Sequence, residues 1–275
     1  MKECCGNYFF MNGEIKPVGE FDNNLVYKGD SIYEVIRTIG GIPVFFDDHM
    51  QRLISSVSFR DKDMIADVNE IKSGIVRLAE LDKRKEINVK VVFNYRESGD
   101  GCLIYYIESS YPTEDQYRKG VKGILFWAQR EDPRSKVLDF RLRSEIHKEL
   151  INENAYEALL VNNDNLITEG SKSNVFFIKD GKLITAPDEM ILKGVTRKHI
   201  LDICRHENIE VEFWCINADD LGNYESAFIT GTSPMVLPFC CINERSLNAK
   251  HPLITMFRNS YTSRVQEDLA SWSRS

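Results

Sequence analysis

The sequence predicts a two-domain α/β (α+β) protein, and three observations carry that expectation. Strand-like apolar runs alternate with segments whose apolar residues recur at helical spacing. The 275 residues are 43% hydrophobic, enough to bury a large core in one big domain or two of ordinary size. Around Ser109-Ser110-Tyr111-Pro112-Thr113-Glu114-Asp115 the apolar pattern lapses, which marks a linker. The expected boundaries are 1–112 for a small α+β domain, 113–120 for the linker and 121–275 for a larger α/β domain.

Tyr8 to Met11 and Ile15 to Val18, about Gly13, read as an opening hairpin. Gly29-Asp30 is a turn signal before a strand that runs to Ile39, with Tyr33, Val35 and Arg37 on one face. Gly40-Gly41 turns the chain into a second strand, 42–46. Asp47 to Val57 has acidic residues at its start and Met50, Leu53, Ile54 and Val57 at helical spacing, so a helix carries Arg52. Val68 to Leu81 is a second amphipathic helix, and Ile87 to Phe93 and Cys102 to Ile107 are strands joined by the 96–101 loop.

Past the linker, Val121 to Trp127 reads as a strand. Leu138, Leu142, Ile146 and Leu150 repeat every four residues, which predicts a helix over 137–153 and puts Lys136 at its start. A cation there opposes the helix dipole and wants a reason. Ala158 to Val161, an Asn162-Asn163-Asp164-Asn165 turn, and Thr168 to Asn174 followed by Val175 to Ile178 form either an ordinary hairpin or a wall where a polar ligand meets backbone. Gly194-Val195-Thr196 opens another amphipathic helix, as a plain cap or as an anion site made of unpaired N–H groups. Thr230-Gly231-Thr232 ends a buried strand in a turn that suits a phosphate or nothing at all.

A net charge of −7 without a basic block disfavours nucleic acid and anionic membrane surfaces as partners. Apolar runs break well short of the roughly twenty residues a spanning helix needs. Seven cysteines without a Cys-x-x-Cys spacing suit free thiols in a reducing, cytoplasmic setting. The five histidines never pair at ligand spacing, so no metal site is expected.

Taken in order, Gly29 to Glu34, His49 to Leu53, Tyr156 to Leu159, Thr168 to Asn174, Gly194 to Arg197 and Gly231-Thr232 resemble the class IV aminotransferases. These fold type IV pyridoxal-phosphate enzymes include branched-chain and D-amino-acid aminotransferases and aminodeoxychorismate lyase. The resemblance implies a small N-terminal α/β domain, a larger cofactor-binding pseudo-barrel domain, and a homodimer whose pocket the neighbouring small domain completes. Lys136 would carry pyridoxal 5′-phosphate and move the substrate proton. Glu169 would keep the pyridine nitrogen protonated, Arg52, Val195, Thr196 and Thr232 would hold the phosphate, and Ser173 and Asn174 would line the cofactor.

On the substrate side the resemblance points to Tyr33, Arg37, Arg96, Arg141 and Ser233. Two departures bear on specificity. Branched-chain enzymes place a tyrosine five residues after the lysine, where this chain has Arg141. The Arg-x-His carboxylate trap of D-amino-acid aminotransferases is missing from the 96–102 loop. The expected activity is amino transfer between an amino acid and a 2-oxo acid. The alternatives are a lyase that releases pyruvate and a non-catalytic protein that binds the cofactor.

Overall fold

The opening hairpin forms from β1 (Tyr8–Met11) and β2 (Glu14–Pro17) in a computed structural model of the chain, which describes residues 3–130 and 132–272. A short helix, α1 (Asn24–Tyr27), leads to β3 (Asp30–Ile39) and β4 (Ile42–Pro43). Helices α2 (Phe46–Phe59) and α3 (Val68–Asp82) precede β5 (Glu86–Tyr95) and β6 (Gly101–Ile107). The six strands make one antiparallel sheet in the order β2-β1-β6-β5-β3-β4.

Because successive side chains point to opposite faces, Ile32, Ile36, Val89, Val91 and Ile104 pack with Met50, Leu53, Ile71 and Ile75 of α2 and α3. Tyr33, Val92, Leu103 and Tyr105 project from the other face and pack with Phe9 and Val26. Both faces are therefore buried. The strand expected over 42–46 stops at Pro43 because Phe45 adopts a left-handed backbone (φ 51°) that a strand does not tolerate, and its N–H donates to Asp268 Oδ2 at 2.7 Å.

The stretch expected as linker is partly helical. In α4 (Glu114–Lys119) the Thr113 hydroxyl accepts from Gln116 N at 3.2 Å and Gln116 Oε1 accepts from Thr113 N at 2.9 Å. This reciprocal cap satisfies two N–H groups of the first turn. Next come β7 (Val121–Trp127), α5 (Phe140–Asn152), β8 (Glu157–Val161), β9 (Ile167–Gly170), β10 (Asn174–Lys179) and β11 (Lys182–Thr185). Then follow α6 (Val195–Glu207), β12 (Val211–Phe213), β13 (Ser226–Gly231), β14 (Met235–Ile242), β15 (Arg245–Ser246) and α7 (Pro252–Trp272).

These strands form a nine-stranded mixed sheet, β12-β11-β10-β13-β14-β7-β8-β9, with β15 on β14. Five strand spacings separate β10 from β9 along that order, about 24 Å if the sheet were flat. The chain from Gly170 to Asn174 reaches at most about 14 Å. The sheet therefore curls until β9 comes round to β10, which is the expected pseudo-barrel.

The chain divides into two units, the first Met1–Ser110 with Ser135–Leu138 and the chain from Val265 on, the second Tyr111–Arg134 with Asp139–Arg264. Ser135–Leu138 counts with the first unit because Val137 bridges to Ile32 and extends the edge of β3. Among the described residues, no helix is long and apolar enough to cross a membrane. Nor do any three of their His, Cys, Asp or Glu side chains gather to hold a metal ion.

Candidate active site

Lys136 does not open a helix. The α5 helix begins at Phe140, with Asp139 as its cap accepting from Leu142 N at 3.0 Å. Lys136 instead lies in extended chain on the free edge of β3: its carbonyl accepts from Tyr33 N at 3.0 Å, and Leu138 N donates to Ser31 O at 3.2 Å. The helix-dipole objection therefore disappears, and backbone pairing fixes the lysine. Its Nζ lies 5.2 Å from the centre of the Tyr33 ring, within cation–π range.

On the helix side of the same strand, Glu34 is fully buried. It accepts from Arg52 Nε at 2.8 Å and Nη2 at 2.7 Å, and its Oε2 lies 2.9 Å from His49 Nδ1. Burial works against the charged carboxylate, but the Arg52 guanidinium and the His49 hydrogen bond outweigh it and hold the Glu34 carboxyl far below the usual range. Burial pulls the His49 pKa down against the pull of Glu34, with Arg52 and Lys136 adding to the decrease. Neutral His49 must then carry its proton on Nδ1, because the carboxylate can only accept. Two nitrogens of the Arg52 fork are committed to Glu34, which sets the plane of the guanidinium.

In the second unit Glu169 is 3% exposed near the end of β9. Arg130 Nη1 donates to its Oε1 at 3.1 Å and Leu192 N to its Oε2 at 3.1 Å. The turn from β9 to β10 is tied down by Glu157, which accepts from Ser171 Oγ at 2.6 Å and Ser173 Oγ at 2.8 Å. A Cβ at Gly170 would stand 2.1 Å from Ser173 Oγ and 3.2 Å from the Glu157 carboxylate, so a side chain there would push Ser173 off Glu157. The Ser173 proton is thus taken by Glu157, and the serine supports the wall rather than offering its proton from it.

Asn174 is buried, and its Nδ2 donates to Leu192 O at 2.8 Å. Its Oδ1 packs so close to Gly194 that a Cβ there would sit 2.0 Å away. Asn174 and Gly194 therefore set the start of α6 together. Gly194 has no side chain to cap that helix, leaving its first N–H groups to other acceptors. Thr196, 3% exposed in the first turn, shares a 3.1 Å hydrogen bond with Tyr261 Oη of α7. Arg197 anchors the same turn through Asp188 at 2.7 Å and the Ala186 carbonyl at 2.9 Å.

Thr230 pairs with Asn174 across β13 and β10, and its hydroxyl is buried without a hydrogen-bond partner. Leaving such a group unpaired costs about 1–3 kcal/mol. Thr232 and Ser233 occupy the half-buried turn between β13 and β14.

The remaining expected residues are placed otherwise. Arg37 is ion-paired to Glu86, with Nε 2.7 Å from Oε1. Arg96 is half-buried where β5 leaves the sheet, its N–H on Asp100 and its Nε buried without a partner. Arg141 is 91% exposed on α5 and bonded to Glu145 one turn on at 3.1 Å, so nothing in its surroundings makes a pocket.

The sequence patterns gave no role to Glu34, His49, Arg130, Glu157 or Tyr261, whereas Thr230 stands in the strand end they mark for a phosphate. For Tyr261 a signal existed, since Ile254, Phe257 and Tyr261 are buried at helical spacing. Arg130 and Glu157 had none, because their partners lie 39 and 14–16 residues away.

The family model of amino-transferase class IV matches residues 31–242. A D-alanine aminotransferase of Bacillus licheniformis is 27% identical over 239 residues, 82% of this chain and 83% of that protein. A branched-chain amino acid aminotransferase of T.th., crystallised with pyridoxamine 5′-phosphate, superposes with a TM-score of 0.86 at 21% identity, covering 97% of this chain and 96% of that one. A branched-chain aminotransferase of Thermoproteus uzoniensis with norvaline gives 0.84 at 21%, covering 96% of each chain.

Proposed function

The chain belongs to the class IV aminotransferases, and from that premise we propose that it transfers an amino group between an amino acid and a 2-oxo acid on pyridoxal 5′-phosphate held by its own residues. Lys136 is the observation that carries the reading: a lysine fixed at a sheet edge by backbone pairing and beside an aromatic ring. The donor set supports the cofactor. Within the second unit an uncapped helix start, the buried Thr196 hydroxyl and the unpartnered Thr230 hydroxyl suit a phosphate, and the buried Glu169 carboxylate suits a protonated ring nitrogen; within the first, the oriented Arg52 guanidinium suits an anion.

When bound, the cofactor supplies an electron sink for the electrons left at the substrate Cα. The chain's own groups do the rest. Lys136 Nζ takes the proton from Cα and returns it on the other side of the transfer. Glu169, held by Arg130 and Leu192 N, keeps a proton on the ring nitrogen. The candidates for holding the phosphate are Arg52 in the first unit and, in the second, the first N–H groups of α6 with Thr196 oriented by Tyr261. Tyr33 borders the substrate, and we propose a homodimer as the working form.

The test is amino transfer by purified protein supplied with the cofactor, amino donors and 2-oxoglutarate, with Lys136→Ala as control. Transfer that disappears in the variant supports the reading, whereas full transfer in the variant refutes it. Pyruvate released from aminodeoxychorismate without amino transfer would assign the lyase instead. Cofactor absorbance that responds to no amino compound would leave a binding protein. The molar mass in solution tests the dimer.

A further inference from the structure

The helix that carries His49 and Arg52 starts on a residue of the wrong type. Phe45 holds the N-cap position of α2, makes no side-chain cap, and adopts a left-handed backbone (φ 51°, ψ 43°). Small polar residues favour that position because their side chains accept from the first turn. Left-handed backbone is also costly for a bulky side chain, and it persists only where the surroundings over-determine it.

Those surroundings come from the last turns of α7, which belong with α2 to the first unit. Asp268 Oδ2 accepts from Phe45 N at 2.7 Å, across 223 residues of chain. One turn on, the Trp272 ring meets the Phe46 ring edge-on at 5.9 Å, and Lys72 Nζ lies 4.2 Å from the Trp272 ring centre. Phe45 itself is buried. A carboxylate also suits this end of a helix, where the backbone dipole is positive.

The Phe45 carbonyl accepts from His49 N at 3.1 Å, the first bond of the helical ladder. The backbone at Phe45 therefore sets how α2 is rotated where it meets β3. His49 and Arg52, three residues apart on one helix face, both reach Glu34 from that rotation.

We propose that Asp268 is a positioning residue for the cofactor phosphate: it holds the left-handed start of α2 and, through that helix, aims the Arg52 guanidinium. The identity of the anion rests on the aminotransferase reading above, and the link from Asp268 to Arg52 on contacts within the first unit.

The test measures binding rather than turnover. Equilibrium binding of pyridoxal 5′-phosphate, and of pyridoxal, which lacks the phosphate, is compared for wild type, Asp268→Ala, Asp268→Asn, Arg52→Lys and Asp268→Ala/Arg52→Lys. Thermal melts verify that each folds, and Asp268→Ser replaces Asp268→Ala if alanine does not. Arg52→Lys keeps a charge on Glu34 and removes the fork. Asp268→Ala should bind pyridoxal 5′-phosphate about tenfold more weakly, the worth of one charge-assisted hydrogen bond, and pyridoxal as wild type does. Asp268→Asn keeps an oxygen that can accept from Phe45 N and should recover most of the loss. The double variant should match Arg52→Lys within about twofold, because both changes act through one guanidinium.

Equal losses for both ligands, or losses that add in the double variant, would overturn the proposal and leave Asp268 as a contact that only stabilises the fold. A phosphate preference lost in Arg52→Lys and kept in Asp268→Ala overturns it while Arg52 remains the phosphate ligand. A preference kept in Arg52→Lys overturns both. The expected losses without any amino transfer keep the positioning role and remove the aminotransferase.

Discussion

Replacing Gly194 with alanine tests the joint between Asn174 and the start of α6. The backbone at Gly194 (φ −66°, ψ 137°) is open to any residue, so in an empty environment alanine would stabilise the fold by about 0.4–1 kcal/mol through the unfolded chain. The structure reverses the sign. The new Cβ would stand 2.0 Å from Asn174 Oδ1 and 3.3 Å from its Cγ, so Asn174 must swing away and release the Leu192 carbonyl. An unpaired buried carbonyl costs about 1–3 kcal/mol and overpacking a comparable amount, for a net loss of about 2–4 kcal/mol. At this chain length that lowers Tm by roughly 5–12 °C. Leu192 N also holds Glu169, so cofactor retention on dialysis should fall as well. Urea titration of Gly194→Ala, Asn174→Ala and the double variant closes the cycle. With the clash removed, the double variant should be no less stable than Asn174→Ala within about 0.5 kcal/mol. A Gly194→Ala protein as stable as wild type, or losses that simply add, would refute the steric account.

Glu34→Gln should cost about 3–5 kcal/mol at pH 7 by leaving Arg52 without its counter-charge. Because the folded pKa of Glu34 is depressed, its contribution is full above the unfolded value near 4.3 and fades as pH falls below it, so wild type and variant should converge in acid melts. His49 is also depressed, so stability should begin to fall as pH drops through about 6.5, and a His49→Gln protein should lack that early limb. Glu169→Gln should lower kcat by about a hundredfold or more while cofactor affinity changes much less, as steady-state rates and equilibrium dialysis would register. Tyr261→Phe removes the partner of Thr196 and should cost about 1 kcal/mol in urea titration, with weaker retention of the cofactor.

Much of this architecture is local in origin. Alternation along 30–39 and the helical spacing of apolar residues over 47–57 and 68–81 need only the chain's own periodicity, and those elements appear with ends shifted by at most two residues. The expected curled second sheet follows from strand order and a three-residue turn. Where local signals conflict, the sequence misleads. The 113–120 stretch is polar enough to look like linker, yet Thr113 and Gln116 cap a helix there. The Leu138 repeat continues past the true helix start, because Leu138 packs on the first sheet while Asp139 caps α5.

The site divides in the same way. Lys136, Glu169, Gly194 and Thr196 stand in sequence patterns that identify them without any coordinates. Their partners do not, since Glu34 meets Arg52 18 residues away, Arg130 meets Glu169 across 39 and Thr196 meets Tyr261 across 65. By itself the sequence determined which chemical groups are available, because residue type and spacing are written along one dimension. Only the tertiary structure decided that Ser173 gives its proton to Glu157 and that Arg141 faces solvent. Those outcomes depend on which distant segments exclude water from a group, and burial is a property of the folded surface rather than of any stretch of chain.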